Sequence, residues 1–126
     1  MGVAYTCVLI AALMPYVLVW YAKFSTKGYD NKNPRDFLIS LDGAAKRASA
    51  AHLNCFEAFP AFAASVIIAH AAGVSIGFIN FLSLLFIFFR ILYCLFYIIN
   101  QSTLRSLVWL FGLICVVTLF IAAIAI

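Results

Sequence analysis

Apolar residues fall along the chain in four long blocks, and polar residues gather between them. Residues 3–22 carry no charged side chain and close on Trp20, Tyr21 and Lys23. Three further blocks run over about 47–72, 77–99 and 104–126. Each is long enough for a helix that crosses a bilayer, which needs about 20 mainly apolar residues. Pro15 falls inside the first block. Membrane helices tolerate proline there because neighbours satisfy the carbonyl that it frees. The interval 24–46 is the one substantial polar stretch, with turn chemistry from Gly28, Asp30, Asn31, Asn33 and Pro34. The other two links, around 72–76 and 100–103, are short. The pattern predicts an all-α integral membrane protein: a single domain over residues 1–126, built as a four-transmembrane-helix bundle with one polar loop over 24–46.

Composition excludes the soluble alternatives. The chain has 126 residues, 67% hydrophobic and 10% charged. A soluble domain carries about 25% charged residues, so this one would lack the polar side chains to cover its surface. The net charge of +4 accompanies no aromatic-basic motif, which argues against nucleic acid as a partner. Cys7, Cys55, Cys94 and Cys115 all lie in the apolar blocks and read as buried thiols rather than a disulfide scaffold. No His/Cys/carboxylate spacing suits a metal ion, and there is no Gly-rich phosphate loop. The first block reads as a span rather than a signal peptide, because no Lys or Arg precedes it and no small-residue cleavage site follows.

The positive residues set the expected orientation. Six of the eight Lys and Arg residues lie between Lys23 and Arg47, and Arg105 sits at the third link. Positive residues in short loops stay on the cytoplasmic side. Loops one and three are therefore expected to face the cytoplasm, with both termini outside.

Two ionisable residues break the apolar pattern, and such groups at depth are candidates for function. Glu57 lies ten residues beyond Arg47, and Arg90 lies ten before Asn100. At 1.5 Å per residue both sit about 15 Å in from the same face. On helix two, Arg47, Ala50, Asn54, Glu57, Ala61 and Ser65 fall within about 80° of one another. On helix three, Arg90, Tyr93, Tyr97 and Asn100 do the same. Matched by depth, Glu57 faces Arg90, Asn54 faces Tyr93 and Arg47 approaches Tyr97. These residues describe a polar cleft for a charged, peptide-like ligand whose carboxylates meet Arg and whose amine meets Glu. A hydrophobic co-substrate could enter from the lipid. A direct Glu57–Arg90 pair predicts that Glu57→Gln costs about 3 to 5 kcal/mol of stability. His52 lies off this stripe and reads as packing, His70 lies toward the far surface, and the Phe-rich run 78–96 reads as lipid-facing and packing surface.

The run Ala51-His52-Leu53-Asn54-Cys55-Phe56-Glu57-Ala58-Phe59-Pro60 resembles the helix-two signature A-H-x-N-x-x-E-x-x-P of the MAPEG family, membrane-associated proteins in eicosanoid and glutathione metabolism. Arg90-x-x-Tyr93-x-x-x-Tyr97 resembles its helix-three motif R-x-x-H/Y-x-x-x-Y, and Leu104-Arg105-Ser106 the start of its fourth helix. The resemblance covers essentially the whole chain. It implies a homotrimer with glutathione, as co-substrate, held between subunits near the cytoplasmic face. Asn54 and Glu57 would bind the tripeptide, with Arg90, Tyr93 and Tyr97 completing the site. Arg105 would be the catalytic residue, stabilising the glutathione thiolate as it attacks a hydrophobic electrophile or reduces a lipid hydroperoxide. In a bacterium the protein would sit in the inner membrane. The chain departs from the family pattern at Ala50, where glutathione-binding members usually carry Arg. Arg47, one turn earlier on the same face, is the nearest replacement. Some MAPEG proteins are not enzymes and bind lipids or proteins instead. A small multidrug transporter fits poorly, since that family carries its essential Glu in helix one and none stands there.

Overall fold

The computed structural model describes residues 2–126. It has five helices among the described residues: α1 (Gly2–Phe24), α2 (Pro34–Ser40), α3 (Gly43–Ala71), α4 (Ile76–Ile98) and α5 (Ser102–Ile124). All but the short α2 are long and apolar enough to cross a membrane.

Small residues set how closely the helices approach. Ala4, Cys7, Ala11, Pro15, Leu18 and Ala22 form the buried stripe of α1. Ala45, Ala48, Ala51 and Cys55 begin the matching stripe of α3. Both repeat at steps of three or four residues, so one face of each helix stays against its neighbour. α1 packs along α3 and α4 along α5, while α3 also meets α4 and α5. Phe62 and Phe86 stack between α3 and α4 at 3.9 Å between ring centres. Leu9, Leu13, Val17 and Trp20 lie exposed on the outer face of α1. In a bilayer that face meets lipid rather than water.

Two compact turns reverse the chain. After α3, Gly73 adopts φ +85° while Val74 N–H donates to Ala69 O and Gly73 N–H to His70 O. After α4, Asn100 adopts φ 63°, with Gln101 N–H bonded to Phe96 O and Asn100 N–H to Tyr97 O. Both are Schellman caps, in which a left-handed residue lets the last carbonyls of the helix find donors. At the opposite end of the chain, Asn80 Oδ1 accepts the Ala4 N–H at 3.2 Å, filling one of the unsatisfied donors that begin α1.

The polar interval 24–46 is more ordered than its composition predicts. Asp30 Oδ1 accepts the Lys32 N–H, and Asp30 Oδ2 accepts from the Asn33 amide. These bonds, led by the Asn33 amide, hold the Asp30 carboxyl below its usual range. They fade as falling pH protonates it. Pro34 then opens α2, where its missing N–H costs nothing and its fixed φ suits a first turn. Phe37 and Leu38 dock on Ala22, Leu41, Ala45 and Ala48, closing the base of the α1–α3 pair. α3 also starts at Gly43 rather than near Arg47. At 29 residues it is about 43 Å long against a hydrocarbon core of about 30 Å, so its first turns extend into the headgroup region.

Candidate functional site

The polar side chains of α3, α4 and α5 converge toward the end of the bundle where α4 stops and α5 starts. Arg90 is the deepest of them, 4% exposed. Its Nη2 donates to Asn54 Oδ1 at 3.0 Å and to Cys55 Sγ at 3.2 Å. Its guanidinium carbon lies 4.3 Å from the centre of the Tyr93 ring. One turn further along α4, Tyr97 meets Tyr93 edge to face at 5.7 Å. Arg105, in the first turns of α5, places its guanidinium 4.2 Å from the Tyr97 ring centre. A ladder thus runs from half-buried Arg105 through two tyrosines to buried Arg90, each cation over an aromatic face.

The direct Glu57–Arg90 ion pair expected from depth matching is not formed among the described residues. The side chain of Asn54 stands between the two, accepting from Arg90 and donating its amide N–H to Glu57 Oε2 at 3.2 Å. Glu57 is exposed. Asn54 lies one turn before Glu57 on α3, and its short amide reaches both neighbours. Arg90 is therefore a buried cation with no carboxylate among its hydrogen-bond partners in this structure.

The relay lowers the expected cost of Glu57→Gln. A glutamine oxygen can accept the same Asn54 N–H, and no buried guanidinium loses a bonded carboxylate. Unfolding free energy in detergent should change by less than about 1 kcal/mol, against the 3 to 5 kcal/mol of a broken buried pair. Chemical denaturation of both proteins distinguishes the two values.

Two adjoining clefts open on this ladder. One, of about 460 Å³, is lined by Asn54, Tyr93, Tyr97, Arg105, Ser106 and Trp109, among others. The second, of about 210 Å³, is lined by Glu57, Arg90, Phe86, Gly112 and Leu113, among others. Asn54 and Trp109 border both. The first offers hydrogen-bonding groups and a cation; the second runs from Glu57 and Arg90 onto apolar surface. A ligand spanning both would meet charge at one end and hydrocarbon at the other.

Arg47 lies elsewhere. Its Nε donates to Ile98 O at 2.9 Å, capping the last residue of α4. It reaches the neighbour of Tyr97 along the backbone, not the tyrosine ring, and borders neither of these clefts. His52 ties α3 to α1 through Nδ1 and Pro15 O at 2.8 Å. His70 bonds Val66 O on its own helix and packs on Tyr5.

Sequence reasoning passed over Cys55, Ser106 and Trp109. Trp109 stands four residues after Arg105, and so on the same helical face, which is the signal that could have found it. Cys55 adjoins Asn54, but nothing in its spacing announces a bond to Arg90.

The profile of the MAPEG family matches residues 3–125 of the 126-residue chain. The chain belongs to the MAPEG family. No curated protein and no solved structure matches it. MAPEG membership, with four membrane-competent helices in an all-helical bundle, makes this an integral multi-pass membrane protein of a glutathione- and eicosanoid-related family.

Proposed function

We propose that this MAPEG protein is a membrane-bound glutathione-dependent transferase or peroxidase acting on hydrophobic electrophiles or lipid hydroperoxides. The observation that carries the reading is Arg90: a buried guanidinium bordering a cleft, with no carboxylate among its hydrogen-bond partners. A buried charge is costly unless something of opposite sign completes it, and a carboxylate of glutathione would do so. Glu57, exposed at the rim, suits the ligand's ammonium group. Asn54 borders both clefts, so it can bond the peptide backbone between them. Tyr93 and Tyr97 line the larger cleft, and Arg105 is the cation for the thiol. Arg47 contributes by holding the end of α4 in place. The apolar cleft beyond Phe86 takes the hydrophobic substrate from the bilayer.

In this reading residues 1–126 act as one domain assembled as a homotrimer, with neighbouring subunits completing each cleft. The lysine- and arginine-rich side faces the cytoplasm, both termini face outward, and a bacterial host would carry it in the inner membrane.

A non-catalytic lipid-binding or scaffold role is the second reading. Ala50 supplies no guanidinium where the family pattern has one, and Arg47 is engaged as a helix cap. Titrating glutathione into the detergent-purified protein by calorimetry, while following the thiolate band in the ultraviolet, separates the two. Saturable binding with thiolate formation is the expected result. No binding at millimolar glutathione overturns the enzyme reading in favour of the scaffold.

A further inference from the structure

Two sulfurs at the α3–α4 contact near Arg90 have no part in the chemistry above. Cys55 on α3 and Cys94 on α4 are 4% and 7% exposed, and their Sγ atoms lie 3.6 Å apart. Arg90 donates to Cys55 Sγ at 3.2 Å. Cys7 and Cys115 are equally buried but sit in the apolar cluster at the other end of the bundle. A cysteine used only as a small hydrophobe needs apolar neighbours. Cys55 packs with Leu18, Ala51 and Val108, but it also has a guanidinium and a second thiol, both brought to it from a different helix.

We propose that Cys55 and Cys94 form a reversible dithiol–disulfide couple, oxidised by organic hydroperoxides dissolved in the bilayer, with Cys55 as the attacking sulfur and Cys94 as the resolving one.

Three features of the geometry carry this. The Arg90 bond goes to Cys55, and an N–H donated by a cation stabilises negative charge on the sulfur that accepts it. The two sulfurs already touch, and a disulfide bond of about 2.0 Å needs only a further approach across the α3–α4 contact. Arg90 also borders the 210 Å³ cleft, so an apolar peroxide entering there comes close to the sulfur that the same guanidinium holds.

The chemistry balances in two steps. The Cys55 sulfur attacks the distal oxygen of the hydroperoxide; an S–O bond forms, the O–O bond breaks, and the alkoxide leaves as alcohol with the proton from the thiol. The Cys94 sulfur then attacks the Cys55 sulfur; the S–S bond forms, the S–O bond breaks, and water leaves with the Cys94 proton. Two thiols lose two electrons to one peroxide, giving a disulfide, one alcohol and one water. Two equivalents of a small monothiol reverse the oxidation by exchange through a mixed disulfide, leaving their own disulfide as product.

The test uses the detergent-purified full chain, reduced, freed of thiol and treated with cumene hydroperoxide in the absence of glutathione. Its outcome is therefore separate from whether the cleft binds the tripeptide. After denaturation, maleimide should label only Cys7 and Cys115 of the four cysteines, and peptide mapping should find Cys55 joined to Cys94. Cys94→Ala should stop at a Cys55 sulfenic acid that dimedone captures, whereas Cys55→Ala should leave Cys94 reduced. Full labelling of both residues after excess peroxide overturns the proposal. So does oxidation no faster than that of Cys7 and Cys115, or a disulfide with any other pairing. The peptide map of the unmutated protein decides the question even where a variant fails to fold.

Discussion

Arg90→Met is expected to weaken glutathione binding by about 10- to 100-fold while leaving the bundle as stable as the parent, or more so. The two effects separate because the arginine's contribution to binding and its contribution to folding have opposite signs. Folding removes its charge from water, since Arg90 is 4% exposed, and returns hydrogen bonds from an amide oxygen and a thiol and the face of Tyr93. Without a bonded carboxylate the desolvation of a full charge is poorly offset, and hydrophobic residues of similar volume often replace buried charges at no loss. Methionine fills comparable space with an unbranched, adaptable chain. The Asn54 oxygen that it orphans is half-buried beside a cleft, where water can replace the donor. A bound carboxylate loses a charge-assisted hydrogen bond, in the range of about 1.5–3 kcal/mol, and each 1.4 kcal/mol is tenfold. Calorimetry gives the first effect and thermal unfolding in the same detergent the second. A melting temperature lowered by more than about 10 °C would mean that Arg90 is structural glue, and unchanged affinity would remove it from the site.

That separation could not have been drawn from the sequence, though most of its ingredients could. The spans were legible because a bilayer demands long apolar blocks, and the one-sided stripe through Asn54 and Glu57 followed from about 100° per residue. Depth matching brought α3 and α4 polar residues to the same level. It did not reveal which side chain would stand between Glu57 and Arg90, because that depends on the reach and rotamer of Asn54, and faces are blind to both. Gly43 to Lys46 read as loop because hydropathy reports hydrocarbon, whereas α3 is helical from Gly43 onward, through polar positions suited to the headgroup region. α2 has only seven residues, too few for a helical period to appear, although Asn33-Pro34 is a recognisable helix start. The Cys55–Cys94 contact was hidden for another reason: each cysteine reads individually as a core hydrophobe, and only the packing of α3 on α4 joins them.

Arg105→Ala is expected to lower kcat for glutathione conjugation at pH 7 by about 30-fold, because a thiol with a pKa near 8.5 is only a few per cent anion there. The Michaelis constant for glutathione should move by less than about 3-fold, because Arg90, Asn54 and Glu57 remain to hold the peptide. Arg105 is half-buried at the larger cleft, with its guanidinium over Tyr97 and the positive end of the α5 dipole close behind it. An arginine there favours the anionic form of a thiol, whose unperturbed pKa is near 8.5. Without it, bound glutathione at pH 7 is a few per cent thiolate, the ultraviolet thiolate band disappears, and the rate climbs about tenfold per pH unit until that pKa is passed. Arg105→Lys keeps the charge but not the flat contact on Tyr97, so it should restore part of kcat and most of the band. A merely structural arginine would behave otherwise: Arg105→Ala would raise the Michaelis constant and lower stability together, with no recovery at alkaline pH. Rate profiles of the three proteins from pH 6 to 9.5, on one electrophile, decide between a cation that activates the thiol and one that only packs on a tyrosine.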